Sequence, residues 1–377
     1  MSKRVLAYLV AAVVWASASG WAADKRKKKK NEELPNQVLQ LPRDLPSAVV
    51  AETARLVFHV APLSSHGLLS QQVRDGLKAL TRMAGSGTIV RLRAFVAGTG
   101  DMRRVQTIVS ETFADHHQSL PALSVVQVGR LPAEGVQVSL EAVSVGKREV
   151  NPHGVALVAG QAAVWKTPSL QMAPLAEKSV GGIGTALAAA GMGREDVLRA
   201  TCFLSALDDF EAVRREVAGA FPQAALTFVQ LQREPSRSVV ECEAVARLRA
   251  APAGAVEYRN PEGLERSPSY SQMALVGAQR VAFSGTQMAF GYQDGDARLA
   301  FQRLDKALQQ VHTSLGHVAM SNFYPLTGAI AEMIRRVRFE FYDKAAPPST
   351  TMLEVQGLPS LDASFAVDVI AAVPEGR

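Results

Sequence analysis

Apolar residues recur along this chain in two rhythms. Runs in which every second position is apolar read as half-buried strands. Stretches with apolar residues every three or four positions read as amphipathic helices. Three stretches repeat one succession of these patterns. A strand over 89–96 leads to a helix over 102–113, a strand over 197–204 to a helix over 210–221, and a strand over 320–324 to a helix over 330–341. Phe95 and Phe113, Phe203 and Phe221, and Phe323 and Phe341 are each 18 residues apart. The helical stripes also match: Met102, Val105, Val109; Phe210, Val213, Val217; Ile330, Met333, Val337.

The segments beyond each helix recur as well. Strands over 124–128, 226–231 and 352–355 each run into a turn with Pro132, Pro235 or Pro359, where proline removes no ladder hydrogen bond. Closing strands come next, over 136–145, 239–248 and 364–373. Upstream of each unit lies another helix, over 68–84, 175–190 and 299–315, preceded by hairpin strands that are clearest at 280–285. The period of 108 to 120 residues exceeds that of a solenoid unit. It predicts three diverged copies of one α+β domain, each a mixed sheet with two helices on one face. The copies are assigned to 47–150, clipped at its start, 151–255 and 256–377.

The N-terminus has a different character. Lys3 and Arg4 precede an apolar run over 5–15 and small residues suited to cleavage, so 1–23 reads as a signal peptide. The expected destination is the periplasm or the exterior. Six consecutive basic residues over 25–30 resist translocation, which makes an uncleaved anchor the alternative. Residues 24–46 form a basic flexible linker. This tail explains the high pI. Residues 1–30 hold eight basic side chains and one acidic one, leaving 33 basic against 34 acidic in the rest. A body without net positive charge argues against nucleic acid as a partner. Any membrane contact runs through the N-terminal segment and the Lys tract.

Chemistry-bearing clusters are few. The seven His show no metal-ligand spacing, and Cys202 and Cys242 cannot make a zinc site alone, so the sequence calls for no metal and no cofactor. The two cysteines read as small buried strand residues, and their separation is not fixed by sequence. Gly181, Gly182 and Gly184 lack the context of a phosphate loop and read as sites of close helix packing.

The ordered motifs resemble the RidA/YjgF family, the reactive-intermediate deaminases, also called L-PSP endoribonucleases. The residues that carry the resemblance are Ala159-Gly160-Gln161, Ser284-Gly285-Thr286-Gln287, Leu207-Asp208-Asp209-Phe210, Gly129-Arg130-Leu131-Pro132 and Glu241-Cys242-Glu243-Ala244. The resemblance spans roughly Ala48 to Val373, three times over. It implies the chorismate-mutase-like fold and trimers with a cleft between neighbours. Three copies in one chain then imply a monomer acting as a pseudo-trimer.

In that family an Arg grips the carboxylate of an enamine or imine, and a Glu positions the water that displaces ammonia. The Arg positions here hold Leu123, Leu226 and Thr350, and the Glu positions hold Ser139, Glu241 and Ala366. Glu241 is therefore the candidate catalytic residue. Gln161, Tyr270, Ser284 and Gln287, with Leu123, Leu226 and Thr350, are the candidate binding residues. Glu241, Ser284 and Tyr270 could share one boundary, with Arg130 or Arg233 reaching in from adjacent turns. The sequence favours a RidA-like protein with degenerate sites that binds a small molecule or partner in inter-copy clefts. A deaminase acting on enamines or imines is the alternative, and a ribonuclease is disfavoured by the near-neutral body.

Overall fold

Strand order repeats in three sheets. In the first, β2 (Leu56–Val60), α1 (Leu69–Ala84), β3 (Thr88–Ala97), α2 (Met102–Asp115), β4 (Ala122–Val128) and β5 (Val138–Val145) give the order β2-β5-β3-β4. In the second, β6 (Val155–Trp165), α3 (Ala173–Ala189), β7 (Val197–Leu204), α4 (Phe210–Ala220), β8 (Ala225–Gln230) and β9 (Ser238–Arg247) give β6-β9-β7-β8. The third uses β12 (Arg280–Ser284), β13 (Gln287–Phe290), α5 (Asp294–Gln309), β14 (Val318–Pro325), α6 (Gly328–Val337), β15 (Ser349–Met352) and β16 (Ala363–Val373). Its order is β12-β16-β14-β15, with β13 also paired to β16. The strands flanking each second helix are parallel neighbours, as a helical crossover requires. Each second strand carries a bulge at the equivalent place, between Ile89 and Arg91, Val197 and Arg199, and Val318 and Met320. This computed structural model describes residues 43–98 and 101–375, so the expected signal peptide and most of the expected linker lie outside the described residues.

The remaining strands cross the copy boundaries read from sequence. β1 (Ala48–Glu52), within 47–150, pairs with β12 and extends the third sheet. β10 (Val256–Arg259) and β11 (Met273–Val276), within 256–377, extend the second sheet through β6. Among the described residues the first sheet gains no such strand. The short connection after β5 covers it instead, with Asn151 donating from Nδ2 to the Leu56 carbonyl at 2.9 Å. The three sheets are thus interlocked by exchanged edge strands.

Each sheet presents one face to its own two helices. Leu92, Ala94 and Val96 of β3 face one such core with Val73, Leu77 and Phe113. The opposite faces meet one another. Phe95, Phe203 and Tyr324 share a core there, and Phe95 and Phe203 touch edge to face at 5.8 Å. The third-copy register differs from the sequence expectation by one residue. Phe95 opposes Ser139, Phe203 opposes Glu241, and Tyr324, not Phe323, opposes Ala366. Tyr342, 18 residues further, is buried, whereas Phe341 is only partly so. Since the 18-residue spacing is kept, the offset is already set in the strand before α6, which itself ends at Val337 and tightens into a 3-10 turn over Arg338–Glu340. α5 likewise begins earlier than expected, because Asp296 accepts from the Gln293 N–H at 2.9 Å and starts the helix there.

Between the inter-sheet cores lies a buried ionic layer. Arg93 donates to Glu141 and Glu243 at 2.7 Å each and to Thr201 at 2.8 Å. Arg91 bonds Asp368, and Arg199 reaches Glu243 at 3.3 Å. Burial would raise the Glu141 carboxyl, but Arg93 and Arg199 outweigh it and hold it at about 2.

The cysteines are joined. Antiparallel pairing of β7 with β9 sets Cys202 directly opposite Cys242, Cα atoms 4.1 Å apart, in a disulfide. Both are buried strand residues, as read from sequence, and this register decides the pairing that the sequence left open.

Candidate functional site

Sheet register fixes which positions are equivalent. Leu123 pairs with Leu92, Leu226 with Ala200 and Thr350 with Ser321, one step along the same ladder in each sheet. The three boundaries between copies can therefore be compared residue by residue, and they differ.

At the first–second boundary, Leu226 faces Val60, Leu63, Phe210 and Phe228 with Ser139 around a cavity of about 370 Å³. Its wall is mainly apolar, and Arg214 at its edge is already paired with Glu211 at 2.8 Å. The third–first boundary is closed at Leu123, beside a more open cavity of about 780 Å³ lined by Met102, Arg103 and Gln127 of the first copy and Leu326 and Leu358 of the third. The Thr286 N–H donates to the Leu123 carbonyl at 3.2 Å, and a Cβ on Gly285 would lie 2.9 Å from that oxygen. Ser284 is buried there, its Oγ accepting from the Val369 N–H at 2.9 Å. Gln287 opposes Val367 on the same sheet. Ser284 and Gln287 therefore do not join Glu241, contrary to the shared boundary considered from sequence.

The second–third boundary brings the others together. Glu241, Tyr270 and Thr350 line a cavity of about 320 Å³ with Gly160, Arg237 and Arg338. A smaller adjoining cavity of about 100 Å³ shares Glu241, Arg237, Arg335 and Met352.

Each side chain is placed by a local cause. β6 bulges between Val158 and Gln161, which frees the Gly160 N–H to donate to Thr351 Oγ1 of the third copy at 3.1 Å. The Glu241 carboxyl occupies the space that a Cβ at position 160 would need, so a larger residue there would have to displace that carboxyl. Burial, reinforced by nearby Glu243 and opposed by Arg237, pushes Glu241 up to about 8. Its carboxyl is therefore protonated at neutral pH and can donate a hydrogen bond. Burial and then Glu241 also push the Tyr270 phenol up.

Tyr270 arrives on the segment between β10 and β11, which the strand exchange lays over the second sheet. Gln161 anchors that segment rather than lining the cavity. Its Nε2 donates to Gln272 Oε1 at 2.8 Å, and Gln272 Nε2 donates to the Glu265 carbonyl at 2.5 Å. Above it, a Cβ on Gly182 of α3 would lie 3.2 Å from Gln161, so the glycine permits the close helix packing expected from sequence.

Sequence reasoning missed Arg338, in the 3-10 turn after α6. It is 1% exposed, and its Nη2 donates to the Ser269 carbonyl, next to Tyr270. A signal was available: Ile330, Ile334 and Arg338 fall four residues apart on the buried face, and a cation on an apolar stripe needs a reason. Arg130 and Arg233, the arginines considered instead, are exposed outside the cavity.

Comparison with known proteins bears on this arrangement. The family model for Endoribonuclease L-PSP matches twice in succession, over residues 67–146 and 147–251. The chain belongs to the RidA/YjgF family. The 2-iminobutanoate/2-iminopropanoate deaminase of Escherichia coli K12 is 35% identical over 78 residues, which are 20% of this chain and 60% of that protein. The Salmonella typhimurium protein of the same description is 33% identical over the same shares. The chain thus spans about 60% of the length of these curated relatives. Among solved structures, NMB1025 from Neisseria meningitidis, a YjgF protein, is 13% identical. It covers 32% of this chain and 97% of its own, with a TM-score of 0.24. The Rid-family protein YyfB from Yersinia pestis is 18% identical, over 32% and 100%, with a TM-score of 0.27.

Within this RidA/YjgF chain, the positions at which the sequence resemblance leads one to expect a carboxylate-binding Arg hold Leu123, Leu226 and Thr350, none of which can pair ionically with a carboxylate. The acid position keeps a carboxyl at Glu241, while Ser139 and Ala366 stand at its equivalents. Proton donation from Glu241, hydrogen bonding by Tyr270 and Thr350, and positive charge from Arg338 are the chemistry this boundary offers.

Proposed function

We propose that this RidA/YjgF chain binds a small molecule in the second–third cleft, and that the other two boundaries are degenerate. One observation carries the reading. Three equivalent boundaries exist, and the second–third one joins a carboxyl, a phenol and guanidinium groups around a cavity. Its counterparts are apolar at Leu226 and closed at Leu123. A cavity near 300 Å³ with few convergent polar groups has the usual dimensions of a small-molecule site. The chain acts as a monomeric pseudo-trimer, and light scattering returning the mass of three chains would contradict that. Export through the N-terminal segment is part of the same reading. The Cys202–Cys242 disulfide supports it, since such bonds persist in oxidising compartments.

The alternative is a deaminase, as the curated relatives are described. Glu241, protonated at neutral pH, favours it, because a proton donor is what a departing ammonia needs. Ammonia release from imines freshly generated by an amino-acid oxidase separates the two readings. The binding reading expects no acceleration over background. Acceleration that disappears in Glu241→Gln would establish the deaminase instead.

A further inference from the structure

Arg338 is a buried cation that the fold leaves uncompensated. It pairs with no carboxylate among the described residues, its Nε finds no acceptor, and its one hydrogen bond goes to a neutral carbonyl. Burial depresses its guanidinium to about 10, a shift that Tyr342 opposes and Arg335 reinforces. A buried charge in that condition is destabilising unless something neutralises it. Among the described residues no carboxylate does so, although the Phe339 ring, 5.1 Å from the guanidinium, makes a cation–π contact that lessens the cost without neutralising the charge. Arg335 is paired with Glu332, Arg237 is a further cation at the rim, and Glu241 holds its proton at neutral pH. Yet Arg338 borders the cavity that Glu241, Tyr270 and Thr350 share. A charge without a partner, beside a space without an occupant, defines the missing group.

We propose that Arg338 is the anion-binding residue of the second–third cleft, where it holds an oxyanion group, carboxylate or phosphate, of a compact ligand. This rests on the reading of that cleft as the binding site. The guanidinium comes from the end of α6 in the third copy, while position 350 on the neighbouring strand carries Thr. Arg237 and Arg335 stand nearer solvent, where they draw the anion in and add little once it is bound. The ligand's remaining atoms lie toward Glu241, whose protonated carboxyl donates to an acceptor, and toward the Tyr270 hydroxyl.

The test is calorimetric titration of the full chain with 2-oxobutanoate, inorganic phosphate and the neutral amide 2-oxobutanamide. The parent is expected to bind at least one of the two anions, and which one it binds identifies the oxyanion. Arg338→Leu should weaken that binding at least tenfold, Arg338→Lys should retain part of it, and Arg335→Ala should change it less than threefold. Melting of the same variants separates binding from structure. A merely structural Arg338 would make Arg338→Leu melt well below the parent. An anion-binding one leaves the apo variant as stable or more stable, because an unpaired buried charge has been removed. Unchanged anion binding in folded Arg338→Leu would overturn the proposal. Binding of the amide but of neither anion by the parent would also overturn it while leaving the cleft reading intact. Binding of none of the three would sink both.

Discussion

Arg93 lies between Glu141 and Glu243 at 2.7 Å from each, and so ties the first copy to the second through two carboxylates at equivalent positions. The third equivalent, Asp368, takes Arg91 instead. The positions equivalent to Arg93 hold Thr201 and Asn322, so one guanidinium serves a place that threefold symmetry would fill three times.

Arg93→Met should therefore be severe, because it leaves two buried carboxylates without their main partner. A loss of about 3–5 kcal/mol is expected. Urea unfolding measures it, with the exposed ion-pair variant Arg214→Ala as a comparison that should change by less than about 1 kcal/mol. The Glu141 carboxyl, depressed to about 2, contributes stability above its ordinary 4.5 that is lost as pH falls toward 2. Equal effects of the two substitutions would mean the ionic layer does not hold the copies together.

In the third copy, Tyr342 rather than Phe341 fills the place at the end of the second helix. Tyr342→Ala should cost about 3–5 kcal/mol, as truncation of a buried aromatic does, and it also removes the partner of Ser321 Oγ at 2.9 Å. Phe341→Ala should cost less, since that ring is partly exposed and stacks on Phe301 at 5.0 Å. The reverse ranking in thermal melts would restore the register read from sequence.

Much of this was legible because strand alternation and proline turns survive divergence. The equivalence of Leu123, Leu226 and Thr350, and of Ser139, Glu241 and Ala366, comes from that pattern and agrees with the pairing in every sheet. The exchange of β1 and β11 was not legible, because an edge strand's alternation fits whichever sheet lies beside it. Nor was the ionic layer. Arg91 and Arg93 alternate with apolar neighbours as on a solvated strand, and alternation does not distinguish water from the polar face of another copy. Arg338 was overlooked because attention went to the stripe Ile330, Met333 and Val337 and not to the adjoining row Ile330, Ile334 and Arg338, which is buried as well.

Glu241 should leave a signature in stability against pH. Its folded carboxyl titrates at about 8, against 4.5 ordinarily, so the native state holds a proton that the unfolded chain releases between those values. Stability then falls as pH rises from about 4.5 to about 8, and Glu241→Gln removes that component. Urea midpoints at pH 5, 7 and 8.5 should show the variant gaining on the parent as pH rises. A constant difference would place Glu241 in solvent rather than in a dry cleft.

The central claim is that one boundary of three is a binding site, and blocking the clefts tests it most directly. Ala162 lines the second–third cavity and Ala218 the first–second one. The parent, Ala162→Trp and Ala218→Trp would be titrated with whichever of 2-oxobutanoate, inorganic phosphate and 2-oxobutanamide binds the parent. The account predicts one site per chain, abolished by Ala162→Trp and untouched by Ala218→Trp. Three sites per chain, or loss of binding in Ala218→Trp alone, would contradict it.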